Sequence, residues 1–417
     1  MGATPARTFP IKAYASSRTR PIELSVIGIF VLISSFAVLY LCFQQVTGLG
    51  LASRDYIAYW ATGRQLVHHG DPYDAAAIIS IEETGGYFAT NKPLLMRNPP
   101  TALFVTLPLG LFGARFGSLL WLFILLSCLT IVVRLLWIVH KRPRNQIHLL
   151  AVFFAPILAC LLTGQTSLFA LLGLTLFLYL HHDRPAIAGA SLALCAVKPH
   201  LFLPFVAGLL VIVAFQRSYR MLAGAVTSLA ACTGIALYFD HSVLSHYARM
   251  LRTDAIGHEF IPTVGGLLRL AVDRNAFSLQ FLPAIAGCVW AVWFAWINRN
   301  DWDWSKHGSI LVLVSALVAP YSWFTDQVIV WPALLYGFYV ASRGYRITLL
   351  AVMSAATAQT VAGLSLHSAL FIWPGIAWFT WYLFATKMSG PIPLQELKAS
   401  QRIAIPSELS ATRKFVA

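Results

Sequence analysis

Apolar residues run through this chain in long blocks, not in the alternation of a half-buried strand or the stripe of a soluble amphipathic helix. The first block, residues 24–43, holds no charged residue over twenty positions. At about 1.5 Å per residue, that length crosses a hydrocarbon core of about 30 Å as one helix. Further blocks fall near 117–140, 147–162, 165–181, 184–197, 199–216, 220–239, 282–298, 308–319, 326–342, 346–364 and 368–386. The pattern predicts an all-α polytopic membrane protein with about 12 transmembrane helices. One further block, residues 98–113, is apolar but short, opens on Pro99-Pro100 and contains Pro108. It reads as a re-entrant or interfacial helix. A full crossing is the alternative, and it would carry the basic KRPR connector (141–144) to the outside.

Charge orients the blocks. The connectors KRPR, Arg184, RSYR (217–220), RNDWDWSK (299–306), RGYR (343–346) and the tail from Lys387 are basic and alternate with less basic ones. Arg7, Lys12, Arg18 and Arg20 precede the first block. Cytoplasmic loops are rich in Lys and Arg, so both termini are expected in the cytoplasm. A cleaved signal peptide would share the basic flank and the small residues near Gly50–Ser53, but the apolar block is longer than a signal core. The chain therefore divides into a cytoplasmic segment 1–23, a transmembrane domain 24–386 with large outer loops at about 44–98 and 240–281, and a cytoplasmic tail 387–417.

Composition agrees with a membrane protein: 11% charged and 58% hydrophobic residues, with mean hydropathy +0.70. Soluble domains carry about 25% charged residues. The net charge of +14 follows from basic inner loops and does not call for nucleic acid, since no long Lys/Arg run occurs. The six cysteines lie in apolar blocks without a CxxC pair, so neither a disulfide frame nor a zinc site is expected. No HExxH, Walker A loop or dinucleotide fingerprint appears, so no metal and no cofactor is assigned.

On this topology ten of the sixteen acids face outward: Asp55, Asp71, Asp74, Glu82, Glu83, Asp240, Asp254, Glu259, Asp273 and Asp326. Asp55 directly follows the first block, where a carboxylate can meet a water-soluble acceptor and a lipid-linked substrate together. Gln165, Lys198-Pro199-His200 and the connector 320–326, with Trp323 and Asp326, lie toward the same face. Polar groups at membrane depth are costly and are functional candidates by default. Each also has a plain structural reading: Lys198 snorkelling, Gln165 bonding a neighbouring helix, Trp323 in an aromatic belt. Asp71 and Asp74, in a Gly-Asp-Pro-Tyr-Asp run, read as turn and cap residues. Residues 58–70 suggest an interfacial amphipathic helix with Ile57, Trp60, Ala61 and Leu66 toward lipid and Arg64, Gln65 and His68 toward water.

SRDYIAYW (53–60), GDPYD (70–74), Asn98-Pro99-Pro100, TGQ (163–165), RPAIAGASLALCAVKPH (184–200) and APYSW (319–323) together resemble bacterial glycosyltransferase family 87 over about residues 24–386. That resemblance implies a GT-C-like architecture. It also implies a hexosyltransferase that moves mannose from a polyprenyl-phosphate donor to an envelope lipid or glycan acceptor. The enzyme would be multi-pass in the bacterial plasma membrane, with its active site facing the periplasm or cell exterior. Its partners are then the lipid-linked sugar, the acceptor and membrane lipids, without nucleic acid. The family pattern usually places an acid and histidines after the SW pair. Phe324, Thr325 and Asp326 stand here instead, so no histidine role is carried over.

Such a donor already carries a good leaving group. The enzyme needs one carboxylate base and cations for the departing phosphate. Asp55 matches the family's catalytic acidic position and is the expected base, with Arg54 its ion-pair partner or an interfacial anchor. Lys198 and His200 are the first phosphate candidates, followed by Arg249, Arg252 and His258. A polytopic transporter or flippase, or a non-catalytic envelope scaffold, remains the alternative. A transporter of this kind would show repeated halves with paired broken helices, and no convincing internal repeat is visible.

Overall fold

The structure is a computed structural model. It describes residues 53–87, 92–143, 145–253, 259–362 and 368–387, together with the isolated positions 28, 32 and 35. The expected first span at 24–43 and the two terminal segments otherwise lie outside the described residues. Among the described residues the secondary structure is helical, with no strand.

Four helices are long and apolar enough to cross a membrane: Ala114–Val139, Tyr219–Phe239, Phe277–Asp301 and Ala369–Lys387. Several other expected spans form shorter helices. Helix α1 is Ser53–Val67, α2 Ala75–Thr84, α3 Leu107–Gly110 and α4 Ala114–Val139. Next come α5 Ala155–Thr163, α6 Ser167–Leu180, α7 Pro185–Cys195, α8 Leu203–Gln216, α9 Tyr219–Phe239 and α10 Val243–Thr253. Prolines in the first turns of α5, α7 and α8 set where those helices begin, because proline lacks the N–H that an interior position must donate. Helix α8 is apolar all round: Phe205, Leu209 and Ile212 are buried while Val206 and Leu210 are exposed. Exposed apolar faces of this kind also mark α4 (Leu119, Phe123) and Leu282–Asn298 (Ile285, Val289), as expected of surfaces that lipid covers.

Segment 98–113 forms a 3-10 turn, Pro100–Val105, followed by the single turn α3. Both of its ends are tied to other elements of the fold. Asn98 Nδ2 donates to Val197 O at 2.7 Å, and Tyr56 Oη donates to Ala114 O at 2.7 Å. Val197 precedes Lys198 and Tyr56 follows Asp55, so each end of the segment is tied to a neighbour of a polar candidate residue. Carbonyls at the end of so short a helix have no intrahelical donor, and lipid cannot solvate them. Helix α1 supplies donors for two of them: Trp60 Nε1 reaches Phe112 O at 2.8 Å and Arg64 reaches Gly110 O at 3.4 Å.

This packing corrects the amphipathic reading of α1. Ile57, Trp60, Ala61 and Leu66, expected against lipid, are buried in the protein core. The close approach depends on a glycine pair, since a Cβ on Gly110 would collide with Gly63 O and one on Gly63 with Thr106 O. Asp74 caps α2 as the turn reading expected, accepting from Ala76 N at 2.9 Å, and Asp71 accepts from Tyr73 N at 2.9 Å. Behind α1, Glu82 of α2 is fully buried and accepts from Leu94 N at 3.1 Å. Burial pushes its carboxyl up to about 7, against the opposing pull of the Leu94 N–H.

Gly110→Ala should force α1 away from segment 98–113 at a cost of about 1–3 kcal/mol. Thermal unfolding of the purified protein in detergent checks this: the substitution should lower the transition temperature, while Gly113→Ala, whose Cβ meets open space, should leave it unchanged.

Candidate active site

Four segments distant in sequence meet at one polar cluster. Helix α5 ends at Gly164, whose left-handed φ of 77° reverses the chain. Trp121 Nε1 of α4 donates to Gly164 O at 2.6 Å, and Gln165 N donates to Cys160 O at 2.9 Å, so the turn is fixed on both sides. Lys198 follows the end of α7 and precedes Pro199, which keeps it out of the helical region (φ −135°, ψ 71°). Asp326 lies in the first turn of the 3-10 helix Phe324–Val330 and accepts from Trp323 N at 2.9 Å.

These turns place the side chains in one hydrogen-bonded chain. Lys198 Nζ donates to Asp326 Oδ1 at 2.6 Å, with side-chain exposures of 7% and 0%. Ser167 Oγ donates to the same Oδ1 at 2.6 Å. Lys198 Nζ also donates to Gln165 Oε1 at 2.8 Å, and Tyr59 Oη donates to that oxygen at 2.9 Å. With two donors on its oxygen, the Gln165 amide has one sensible orientation, since a flipped amide would turn its NH2 toward an ammonium. Gln165 Nε2 therefore points to Asp55 Oδ2 and donates to it at 3.0 Å. The positive charge of Lys198 thus acts on Asp55 through one polarised amide.

Of the residues expected from sequence, Asp55, Gln165, Lys198 and Asp326 are brought into direct contact. Trp323 joins through its backbone N–H, and its indole Nε1 donates to Tyr321 Oη at 2.8 Å. His200 stands edge-on to Tyr321, with ring centroids 5.5 Å apart. Its Nε2 is buried without a hydrogen-bond partner among the described residues. Arg249 is not in this cluster; its exposed guanidinium pairs with Asp71. Arg252 is exposed at the end of α10. His258 and the side chain of Arg54 lie outside the described residues.

Three residues had gone unremarked in the sequence. Tyr59 lies one helical turn from Asp55 on the same face of α1, a spacing that could have signalled it. Ser167, two residues after Gln165, carried no such signal. Arg97 sits just before Asn98; its two terminal nitrogens meet Glu259 at 2.9 and 3.2 Å, and one approaches Tyr321 Oη at 3.5 Å. A separate group joins the segment after α1 to the start of α10: His246 Nδ1 lies 2.6 Å from Asp240 Oδ2 and 3.4 Å from Asp71 Oδ1. Asp71, Asp240 and His246 could offer a metal three donor atoms within 4.8 Å of one another. His246 and Arg249 already engage both carboxylates.

The sequence profile of glycosyltransferase family 87 matches residues 97–320, more than half of the chain. The chain belongs to glycosyltransferase family 87. No curated protein and no solved structure matches it. This family 87 member is a membrane glycosyltransferase, which favours the enzyme over the transporter alternative. The matched stretch contains Gln165 and Lys198, while Asp55 precedes it and Asp326 follows it, so the polar cluster joins residues inside and outside the stretch.

The buried pair yields a direct energetic expectation. Lys198→Met or Asp326→Asn alone should destabilise the protein by about 3–5 kcal/mol, because each leaves an uncompensated buried charge. The double variant Lys198→Met/Asp326→Asn should be less destabilised than the sum of its singles. A double-mutant cycle from denaturant or thermal unfolding measures this coupling.

Proposed function

We propose that this protein moves mannose from a polyprenyl-phosphate donor to an envelope lipid or glycan acceptor. The reaction would take place at the outer face of the bacterial plasma membrane, on a GT-C-like frame of about twelve crossings. The observation that carries the reading is the contact of Asp55 with Gln165, behind which Lys198 and Asp326 form a buried ion pair. The motif resemblance, the apolar helices and the basic inner connectors support the membrane setting and the sidedness.

In this reading Asp55 is the base. An acceptor hydroxyl attacks the anomeric carbon as its proton passes to the Asp55 carboxylate. A new C–O bond forms to the acceptor, the bond from the anomeric carbon to the phosphate oxygen breaks, and that electron pair leaves with polyprenyl phosphate. The single base suits one displacement with inversion, and the good leaving group removes the need for the strong general acid of a glycoside hydrolase. Gln165 holds the carboxylate in place, and Lys198 acts through Gln165 and Asp326 as a positioning residue. His200, with its buried unpaired Nε2, is available to the departing phosphate.

Asp55→Asn keeps shape and removes the base. In lipid, with a polyprenyl-phosphate sugar and candidate acceptors, it should lower the transfer rate by about 10²–10⁴ while the protein remains folded. Transfer within a few-fold of wild type would sink the assignment, and movement of the donor across the bilayer without covalent product would favour the transporter.

A further inference from the structure

Lys198 was the obvious phosphate ligand by sequence, yet its ammonium is almost fully enclosed and committed to Asp326 and Gln165. Transferring it to a substrate would leave the Asp326 carboxylate buried without its counter-charge. A reaction that releases a phosphate needs a cation with a more exchangeable partner.

Arg97 meets that requirement by position and by geometry. The next residue, Asn98, is pinned to Val197 O at 2.7 Å, so the Arg97 backbone is tethered beside Lys198. Its guanidinium lies near Tyr321 Oη, which accepts from Trp323 Nε1 and faces the His200 ring. The side chain is 27% exposed, and its partner Glu259, from the second outer loop, is 42% exposed. The two nitrogen–oxygen contacts of 2.9 and 3.2 Å form a fork that fits a pair of phosphate oxygens as well as a carboxylate. Partly exposed ion pairs are weak, so exchange for the singly charged phosphodiester of the donor, whose charge grows as polyprenyl phosphate departs, is feasible.

We propose that Arg97 is the cation that receives the phosphate of the lipid-linked donor, with Glu259 holding its guanidinium in register until the phosphate displaces it. The ligand chemistry is a phosphate ester on an isoprenoid chain. His200 Nε2, buried without a partner among the described residues and grouped with Tyr321, is a second polar contact for the same phosphate. The assignment rests on the donor class given under Proposed function.

The test measures equilibrium binding of farnesyl phosphate, farnesol and inorganic phosphate to the full chain in lipid nanodiscs. Wild type, Arg97→Gln and Glu259→Gln are compared. Wild type should bind farnesyl phosphate more tightly than either control ligand. Arg97→Gln should weaken farnesyl phosphate binding by about tenfold or more and leave farnesol unchanged. Glu259→Gln should bind farnesyl phosphate at least as tightly as wild type, because it removes the competing carboxylate. Equal binding by wild type and Arg97→Gln overturns the proposal. So does a loss in Glu259→Gln as large as that in Arg97→Gln, which would mark a purely structural pair. If inorganic phosphate binds as well as farnesyl phosphate, the isoprenoid source is overturned even where Arg97 is needed. If wild type binds no farnesyl phosphate, the donor class itself fails and this assignment fails with it; retained wild-type binding separates the two failures.

Discussion

A buried ammonium on a buried carboxylate, Lys198 on Asp326, is the constraint around which this structure is arranged. Neither charge is stable alone in that environment, and their mutual attraction offsets the loss of water only when the remaining hydrogen-bonding capacity is used. The fold uses it. Ser167 and the Trp323 N–H complete Asp326, and the oxygen of Gln165 takes a further bond from Lys198. Once that oxygen is engaged, the Gln165 amide has a single orientation, and its NH2 holds Asp55. A requirement of stability, that no buried charge stand unpaired, therefore also fixes the orientation of the residue read as the base.

The apolar surroundings shape the backbone in the same way. Segment 98–113 is broken into short turns, and the carbonyls left without an intrahelical donor would be costly in lipid. It survives because α1 lies against it at a glycine–glycine contact and donates side-chain hydrogen bonds to Phe112 O and Gly110 O. Helix α1 carries Asp55 at its first turn and Tyr59 one turn later. The element that satisfies segment 98–113 is thus also the one that presents the carboxylate. The glycosyltransferase family 87 match covers only part of the cluster, and packing supplies the rest.

Much of the cluster was legible in the sequence because a charged or amide side chain in an apolar block stands out against its neighbours. That contrast identified Gln165, Lys198 and Asp326, and placement just after the first apolar block identified Asp55. Pairing was not legible: Lys198 and Asp326 are 128 positions apart, and nothing in either local pattern names the other. The apolar face of α1 was assigned to lipid because hydrocarbon and a protein core impose the same pattern on a helix. Arg249 was grouped with phosphate by charge alone, while the fold gives it to Asp71. Arg97 escaped notice because a basic residue in a connector has an ordinary explanation. Span lengths were read from hydropathy, which does not register the prolines at the starts of α5, α7 and α8.

The central claim is that a fixed amide transmits the buried pair's constraint to Asp55, and Gln165→Met tests it most directly because it keeps side-chain length while removing both hydrogen-bonding ends. Single-turnover transfer from a polyprenyl-phosphate sugar should slow by about tenfold or more, with donor affinity close to wild type; the Lys198 and Tyr59 donors left without their acceptor should lower stability by about 1–3 kcal/mol without unfolding the protein. Transfer at the wild-type rate in a folded Gln165→Met protein would contradict the account.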